Sequence, residues 1–302
     1  MSNDVKPVKI PEILERNGFS LDTHIFRYRP DKDFKMKGDS GTIINHCINE
    51  VESRTIWHSA IGALNDPFEV YAQKNLDEFG QMPFHKKIKL FAMYAKQRKM
   101  GGILAASPHV LERLYRAHEP ELKAAIEEVN RGKTFETFIA EMRSEVAISC
   151  FTAVCDSRLM WGYYCNGLSG GSLIYNKKKL LKNNIELNKV SYINGPFKVD
   201  LLDFVFNYEE TKRIKTLSQI VKTKHIEWAH EHEYRCVTAL EGGEIGFGRA
   251  VTLGENCIDG IIIGKKVRDD IIKQLRRLAK KNHIKIYMAD VDYQNFKVHI
   301  YQ

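Results

Sequence analysis

The sequence has no Cys-x-x-Cys pair: its six cysteines, Cys47, Cys150, Cys155, Cys165, Cys236 and Cys257, stand singly along 302 residues. That scatter argues against a disulfide framework and against a structural zinc site, and it fits buried thiols in a reducing compartment. No apolar run approaches the ~20 residues that cross a bilayer, and the opening Met1-Ser-Asn-Asp-Val-Lys6 lacks the apolar stretch of a secretory signal. The expected location is the cytoplasm, with no membrane contact. Neither a Gly-x-Gly-x-x-Gly after a strand nor a P-loop is present, so Rossmann-type and P-loop chemistry are not expected. No internal repeat, low-complexity tract or Pro- or Gly-rich linker marks a boundary, which leaves one domain over residues 1–302 as the expectation.

What is present is a basic chain, with a formal charge of +8 and a pI near 9.0. Contact with phosphate, of a nucleic acid or of a dinucleotide, is compatible with that balance. Much of the excess is lysine in segments such as Lys177-Lys-Lys-Leu-Leu-Lys182, which read first as solvated surface.

Thr23-His-Ile-Phe-Arg-Tyr-Arg29 alternates and stops at Pro30, so it predicts a strand with Phe26 and Tyr28 on one side and Arg27 and Arg29 on the other. A short helix is expected at Pro11–Arg16, another at Ile43–Ile48, and a strand at Thr55–Ser59. Asn65-Asp-Pro-Phe-Glu69 reads as a turn fixed by Asx hydrogen bonding and proline. From Gln73 to about Glu145 the period becomes helical, which predicts a helical insertion at about 73–146 on a mainly β framework. The strand signal returns at Val146–Thr152. Trp161, Tyr163 and Tyr164 then supply flat faces, ahead of a Gly167–Gly171 turn into Ser172–Tyr175. Helix-like patterning recurs at Val199–Phe206 and Leu217–Thr223, and the end reads strand, helix, strand over Cys257–Gly264, Val267–Lys281 and Ile284–Ala289, with a last strand at Asn295–Tyr301. The outward face of that helix carries Lys273, Arg276, Arg277 and Lys280, usually a solvated pattern, though one that could touch nucleic-acid backbone.

The densest chemistry lies in Trp228-Ala-His-Glu-His-Glu-Tyr-Arg235. Read as a strand, it puts Glu231, Glu233 and Arg235 on one face and His230, His232 and Tyr234 on the other. Two neighbouring carboxylates repel unless cations or donors surround them, so the pair points either to two acceptors at one reacting centre or to a solvated edge neutralised by Arg235.

Phe26-Arg-Tyr-Arg-Pro30, Trp57-His-Ser59, Leu64-Asn-Asp-Pro-Phe-Glu69, Ser149-Cys-Phe-Thr152, Leu159-Met-Trp161 and Trp228-Ala-His-Glu-His-Glu-Tyr-Arg235, in that order, resemble the bacterial DUF2971 family. The same blocks are similar to the layout of ADP-ribosyltransferases of the arginine, serine, glutamate type. That resemblance implies an α+β fold with a mixed or antiparallel β core, NAD as substrate, and a macromolecular acceptor, RNA or DNA among the candidates. It also implies a toxin or antiphage effector, with an antitoxin or regulatory protein as a partner. It assigns catalysis to Glu233, Glu231 and Arg27. Glu233 would grip the ribose, Glu231 would orient the acceptor, and Arg27 or Arg29 would hold pyrophosphate or brace the serine strand. Tyr28, Ser149, Phe151 and Thr152 fall in the implied dinucleotide site, with Trp161 or Tyr163 stacking near nicotinamide. Ser149-Cys-Phe-Thr152 departs from a Ser-Thr-Ser pattern. Two other readings remain open: a nuclease effector using Glu231, Glu233, Asp66 and histidines, and a non-enzymatic binding module whose arginines and glutamates form an ion-pair network. A zinc site at His230 and His232 lacks closing ligands, so no metal is expected.

Overall fold

The computed structural model describes residues 8–35, 43–75, 79–100, 107–206 and 210–302. The chain divides into two compact units, one of residues Met1–Asn65, Ser144–Tyr192 and Ile226–Gln302, the other of Asp66–Arg143 and Ile193–His225.

The first unit is built on a ten-stranded sheet of β1 (His24–Pro30), β2 (Thr55–Ala60), β3 (Val146–Thr152), β4 (Gly170–Asn176), β5 (Asn188–Lys189), β6 (Glu233–Ala239), β7 (Gly248–Thr252), β8 (Ile258–Gly264), β9 (Lys285–Asp292) and β10 (Lys297–Tyr301). The order along the main path is β7-β2-β3-β1-β4-β8-β9-β10, and β6 pairs with β3 and β5. All pairings are antiparallel except β8 with β9. That parallel pair is joined by a helix, as parallel neighbours require. The molecule is thus α+β with a mixed, mainly antiparallel sheet.

Strand β3 is the hub. β6 runs along it from Glu233↔Thr152 to Ala239↔Val146, while β2 meets it at Ala147 and Ile148 and β1 meets it only at Thr152. β1 and β2 therefore share one edge of β3, at its two ends, with Ser149–Phe151 between their registers.

Helices α1 (Glu12–Arg16), α2 (His46–Ser53), α3 (Arg158–Cys165), α4 (Lys177–Lys182) and α5 (Asp269–Asn282) complete this unit. The central strands β1, β3, β4 and β8 bury both faces because helices lie on both sides. Ile25, Phe151, Leu173, Tyr175, Ile261 and Ile263 point into one core with α2 and α5 residues such as Val51 and Leu275. Phe26, Tyr28, Ile174, Ile262 and Tyr287 point into the other with Leu14 of α1 and Trp161 of α3. Burying each such side chain is worth about 1.5–3 kcal/mol. Gly170 permits β1 and α3 to approach: a Cβ there would stand 2.5 Å from the Arg29 carbonyl oxygen and 2.7 Å from the Cys165 sulfur.

In the second unit, helices Phe84–Gln97 and Pro108–Arg131 bury Leu90, Phe91, Tyr115, Leu122 and Ile126 with Leu202 and Phe206 of helix Leu201–Phe206. Strands Ala72–Asn75 and Phe197–Asp200 pair in parallel. Residues 193–225 thus return to the helical segment, a union with no local sequence signal. The Asx reading of the turn is seen directly, with the Phe68 amide donating to Asp66 Oδ1 at 2.9 Å. Glu69 is buried, 3.5 Å from Lys224 Nζ.

Five sequence expectations change. Ile43–Asn45 is a strand, and the helix starts only at His46, because the Asn45 side chain accepts from the Cys47 amide as an N-cap. Ala72–Asn75 is a strand within the stretch read as helical, and Phe197–Asp200 is a strand ahead of its helix. Trp228–Tyr234 does not run as one strand. Ile226–Glu231 forms a 3-10 turn, His232 takes a left-handed φ of 44°, and β6 begins at Glu233. The helix expected at Leu217–Thr223 begins earlier and ends earlier, as Glu210–Val221, and Thr223–His225 is a strand. Residues 101–106, inside the stretch read as helical, lie outside the described residues.

Candidate active site

Two buried polar clusters occupy opposite faces of the sheet. The first lies under α2, where Glu50 falls on the buried stripe with Cys47 and Val51. Its carboxylate accepts from Arg27 Nε at 3.0 Å, from Arg29 Nη2 and from the Tyr175 hydroxyl at 2.6 Å. Arg27 spends its remaining donors on main chain: Nη1 donates to the Cys150 carbonyl at 2.8 Å and Nη2 to the Trp57 carbonyl at 3.0 Å. One guanidinium therefore ties β1, β2 and β3 together where the sheet divides, and it lies 5.1 Å above the Phe151 ring. Burial works against the charge on both arginines. With Arg27 alongside, the Arg29 pKa falls to about 9, so it stays charged at neutral pH.

His58 shares this face with Ser149, and both are buried. Neither ring nitrogen of His58 nor the Ser149 hydroxyl has a hydrogen-bond partner among the described residues. Burial, then Arg27 and Arg249, hold His58 down to about 4, which keeps the imidazole neutral.

The second cluster sits on the other face. Residues paired directly across strands share a face. Phe26 and Glu233 both pair with Thr152, so Glu233 and Arg235 face away from Arg27 and Arg29. Arg235 is fully buried and grips Glu233 through Nε to Oε1 at 2.8 Å and Nη2 to Oε2 at 3.0 Å. The Glu233 amide donates to the Tyr192 hydroxyl at 2.8 Å. Glu231, one turn earlier, accepts from the Tyr164 hydroxyl at 2.6 Å. Burial and then Glu231 push the Tyr164 pKa far up, so it remains a donor. Thr152 Oγ1 donates to the Glu231 carbonyl and accepts from the Val154 amide at 3.0 Å, fastening the turn to β3.

Beside Glu231 stands a trio of rings at the surface. Tyr163, Trp228 and His230 have centroids 6.1 to 6.3 Å apart, and Tyr163 is 65% exposed. Tyr163 adjoins Tyr164 in α3, while Trp228 and His230 belong to the turn that carries Glu231. The rings and the carboxylate are thus held by the same two elements.

The structure brings Glu231, Glu233, Thr152 and Tyr163 to one side. Arg27, Arg29, Ser149 and Phe151 lie on the other, so the serine and threonine of the hydroxyl strand do not share a face. Trp161 is a core residue: its indole donates to the Cys155 carbonyl at 2.8 Å and meets Tyr28 edge-on at 5.2 Å. The sequence reading passed over Glu50, Tyr175 and Tyr192. Of these Glu50 alone had a signal, a carboxylate three residues after Cys47 and one before Val51 on an apolar helix stripe. Among the described residues no group of three or more His, Cys, Asp or Glu side chains is placed to hold a metal ion, and no helix is long and apolar enough to cross a membrane.

The model of the family described as "Protein of unknown function (DUF2971)" matches residues 160–236. That stretch carries the DUF2971 signature. The matched segment opens within α3, spans Tyr164, Tyr175, Tyr192, Glu231 and Glu233, and ends at Cys236, one residue beyond Arg235. It therefore contains the carboxylates, Arg235 and the tyrosines of the second cluster and the ring trio, while Thr152, Arg27 and Glu50 precede it. No curated protein and no solved structure matches the chain.

Proposed function

We propose that the chain, whose residues 160–236 match the DUF2971 family model, is an ADP-ribosyltransferase-like enzyme that breaks the nicotinamide–ribose bond of NAD and transfers ADP-ribose to a macromolecule, in a toxin or defence effector acting in the cytoplasm. The observation that supports this reading is the joining of Glu231 to the Tyr163, Trp228 and His230 rings through Tyr164. A planar heterocycle can stack on such rings. Cleavage of the glycosidic bond develops positive charge on the ribose, which a held carboxylate stabilises. Glu233, oriented by Arg235, would grip the ribose hydroxyls, and Glu231, oriented by Tyr164, would receive the acceptor's proton. Arg27 takes the bracing role: through the Cys150 carbonyl it fixes β3, whose Thr152 holds the Glu231 turn. The test is incubation of the purified chain with NAD labelled in the adenylate moiety and total RNA, DNA or protein. Label on one acceptor class, absent with Glu233→Gln, is expected. Absence of both transferred label and free nicotinamide removes the proposal.

A second reading rests on burial. Glu231 and Glu233 are 2% and 3% exposed, and each is bonded within the fold, so the cluster could brace a non-enzymatic binding module. NAD turnover decides between the two.

A further inference from the structure

Helix α5 packs Ile271, Leu275, Leu278 and Ala279 inward. Its outer face carries Lys273, Arg276, Arg277, Lys280 and Lys281, all exposed. At 100° per residue these five fall within one arc, and they span ~12 Å of helix. Among the described residues none of the five forms an ion pair, while the neighbouring Lys265 and Arg268 do. Lys280 and Lys281 suit the negative end of the helix dipole. Lys273 follows Asp269 and Asp270 by one turn, though it forms no ion pair with them, while Arg276 and Arg277 have no such account, since each stands within one turn of further cations that repel it.

The helix that carries the stripe is anchored at both ends. Arg268, just before the helix, donates through its main-chain amide to Asp31 at 2.9 Å, and its guanidinium grips both Asp31 and Asp33. His283, in the left-handed region, closes the other end.

We infer that this face of α5 docks the phosphate backbone of a nucleic acid. A row of unpaired cations on an anchored helix complements a polyanion, and ~12 Å of duplex axis carries about seven phosphate charges. A lipid surface fits less well. No large exposed hydrophobic residue lies on α5 to enter a bilayer, the apolar side being committed to the core. The inference stands apart from NAD chemistry.

The test measures binding of the full chain to a fluorescent 30-base-pair duplex and to a single-stranded RNA of equal length, by anisotropy across a salt series. Wild-type protein is expected to bind at least one of them with a steep salt slope. The triple variant Lys273→Glu, Arg276→Glu, Arg277→Glu is expected to bind about tenfold more weakly or worse, with the slope shallower by roughly 2 to 3. The milder Lys273→Gln, Arg276→Gln, Arg277→Gln set should lie between, and Lys178→Glu with Lys182→Glu should change little. A circular-dichroism melt shows that each variant is folded. Equal binding by wild type and the triple variant overturns the inference. So does a preference for phosphatidylserine vesicles or polyglutamate over both nucleic acids.

Discussion

Arg27 and Glu233 stand on opposite faces of one sheet, separated by Thr152, which pairs with Phe26 on one side and with Glu233 on the other. The early guanidinium and the late carboxylates therefore do not close on one another. Arg27 is answered by Glu50, and Glu233 by Arg235.

A double-mutant cycle separates these pairings. Removing Arg27 alone leaves Glu50 buried with fewer donors and is expected to cost about 3–5 kcal/mol of stability. Arg27→Met with Glu50→Gln should show strong coupling in denaturant unfolding. Arg27→Met with Glu233→Gln should be additive within about 0.5 kcal/mol. Coupling of Arg27 to Glu233 in place of Glu50 would contradict the assignment of faces.

Acid should destabilise the fold through His58. Its folded pKa of about 4 lies below the ordinary 6.5, so its contribution is complete above pH 6.5 and is lost as pH falls towards 4. That gap corresponds to about 3 kcal/mol. His46, held to about 4 by burial, then Arg29 and Lys32, adds to the same limb. His58→Gln is expected to flatten the decline in unfolding free energy between pH 6.5 and 4 but not abolish it. An unchanged slope would remove His58 from the account.

Arg235→Met should destabilise by about 3–5 kcal/mol, because Glu233 loses both bidentate bonds. Replacing the two together by Met should recover much of the loss. Tyr164→Phe, which takes one donor from buried Glu231, should cost about 1–3 kcal/mol. Chemical denaturation of the four proteins checks both statements, and a double variant no better than Arg235→Met alone would be contrary evidence.

Much of the framework was legible. The alternation at Thr23–Arg29 and the apolar runs at Val146–Thr152 and Cys257–Gly264 each matched a strand within one residue at either end; in the two apolar runs pattern and burial agree, whereas β1 buries Arg27 against its alternation. The Trp228–Tyr234 stretch misled because periodicity cannot show a single left-handed residue. His232 breaks the alternation that would have put Glu231 and Glu233 on one strand face. The partners of the arginines were illegible for another reason. Arg27 and Glu50 are 23 residues apart, and their contact depends on a packing of α2 against β1 that the spacing of neither segment encodes.

Tyr163→Ala is expected to weaken NAD binding by about 1–3 kcal/mol, the worth of one stacking face, while barely moving stability, since the ring is 65% exposed. Calorimetric titration with NAD measures it. Equal affinity in wild type and variant would detach the ring trio from the substrate.

The most direct test of the central claim is nicotinamide release from NAD, followed chromatographically at matched folded protein for wild type, Glu231→Gln, Glu233→Gln and Arg27→Lys. The account predicts release by wild type, loss of a hundredfold or more in each glutamine variant, and near wild-type release per folded molecule by Arg27→Lys, whose role is bracing. Full release by both glutamine variants, or none by wild type, would contradict it.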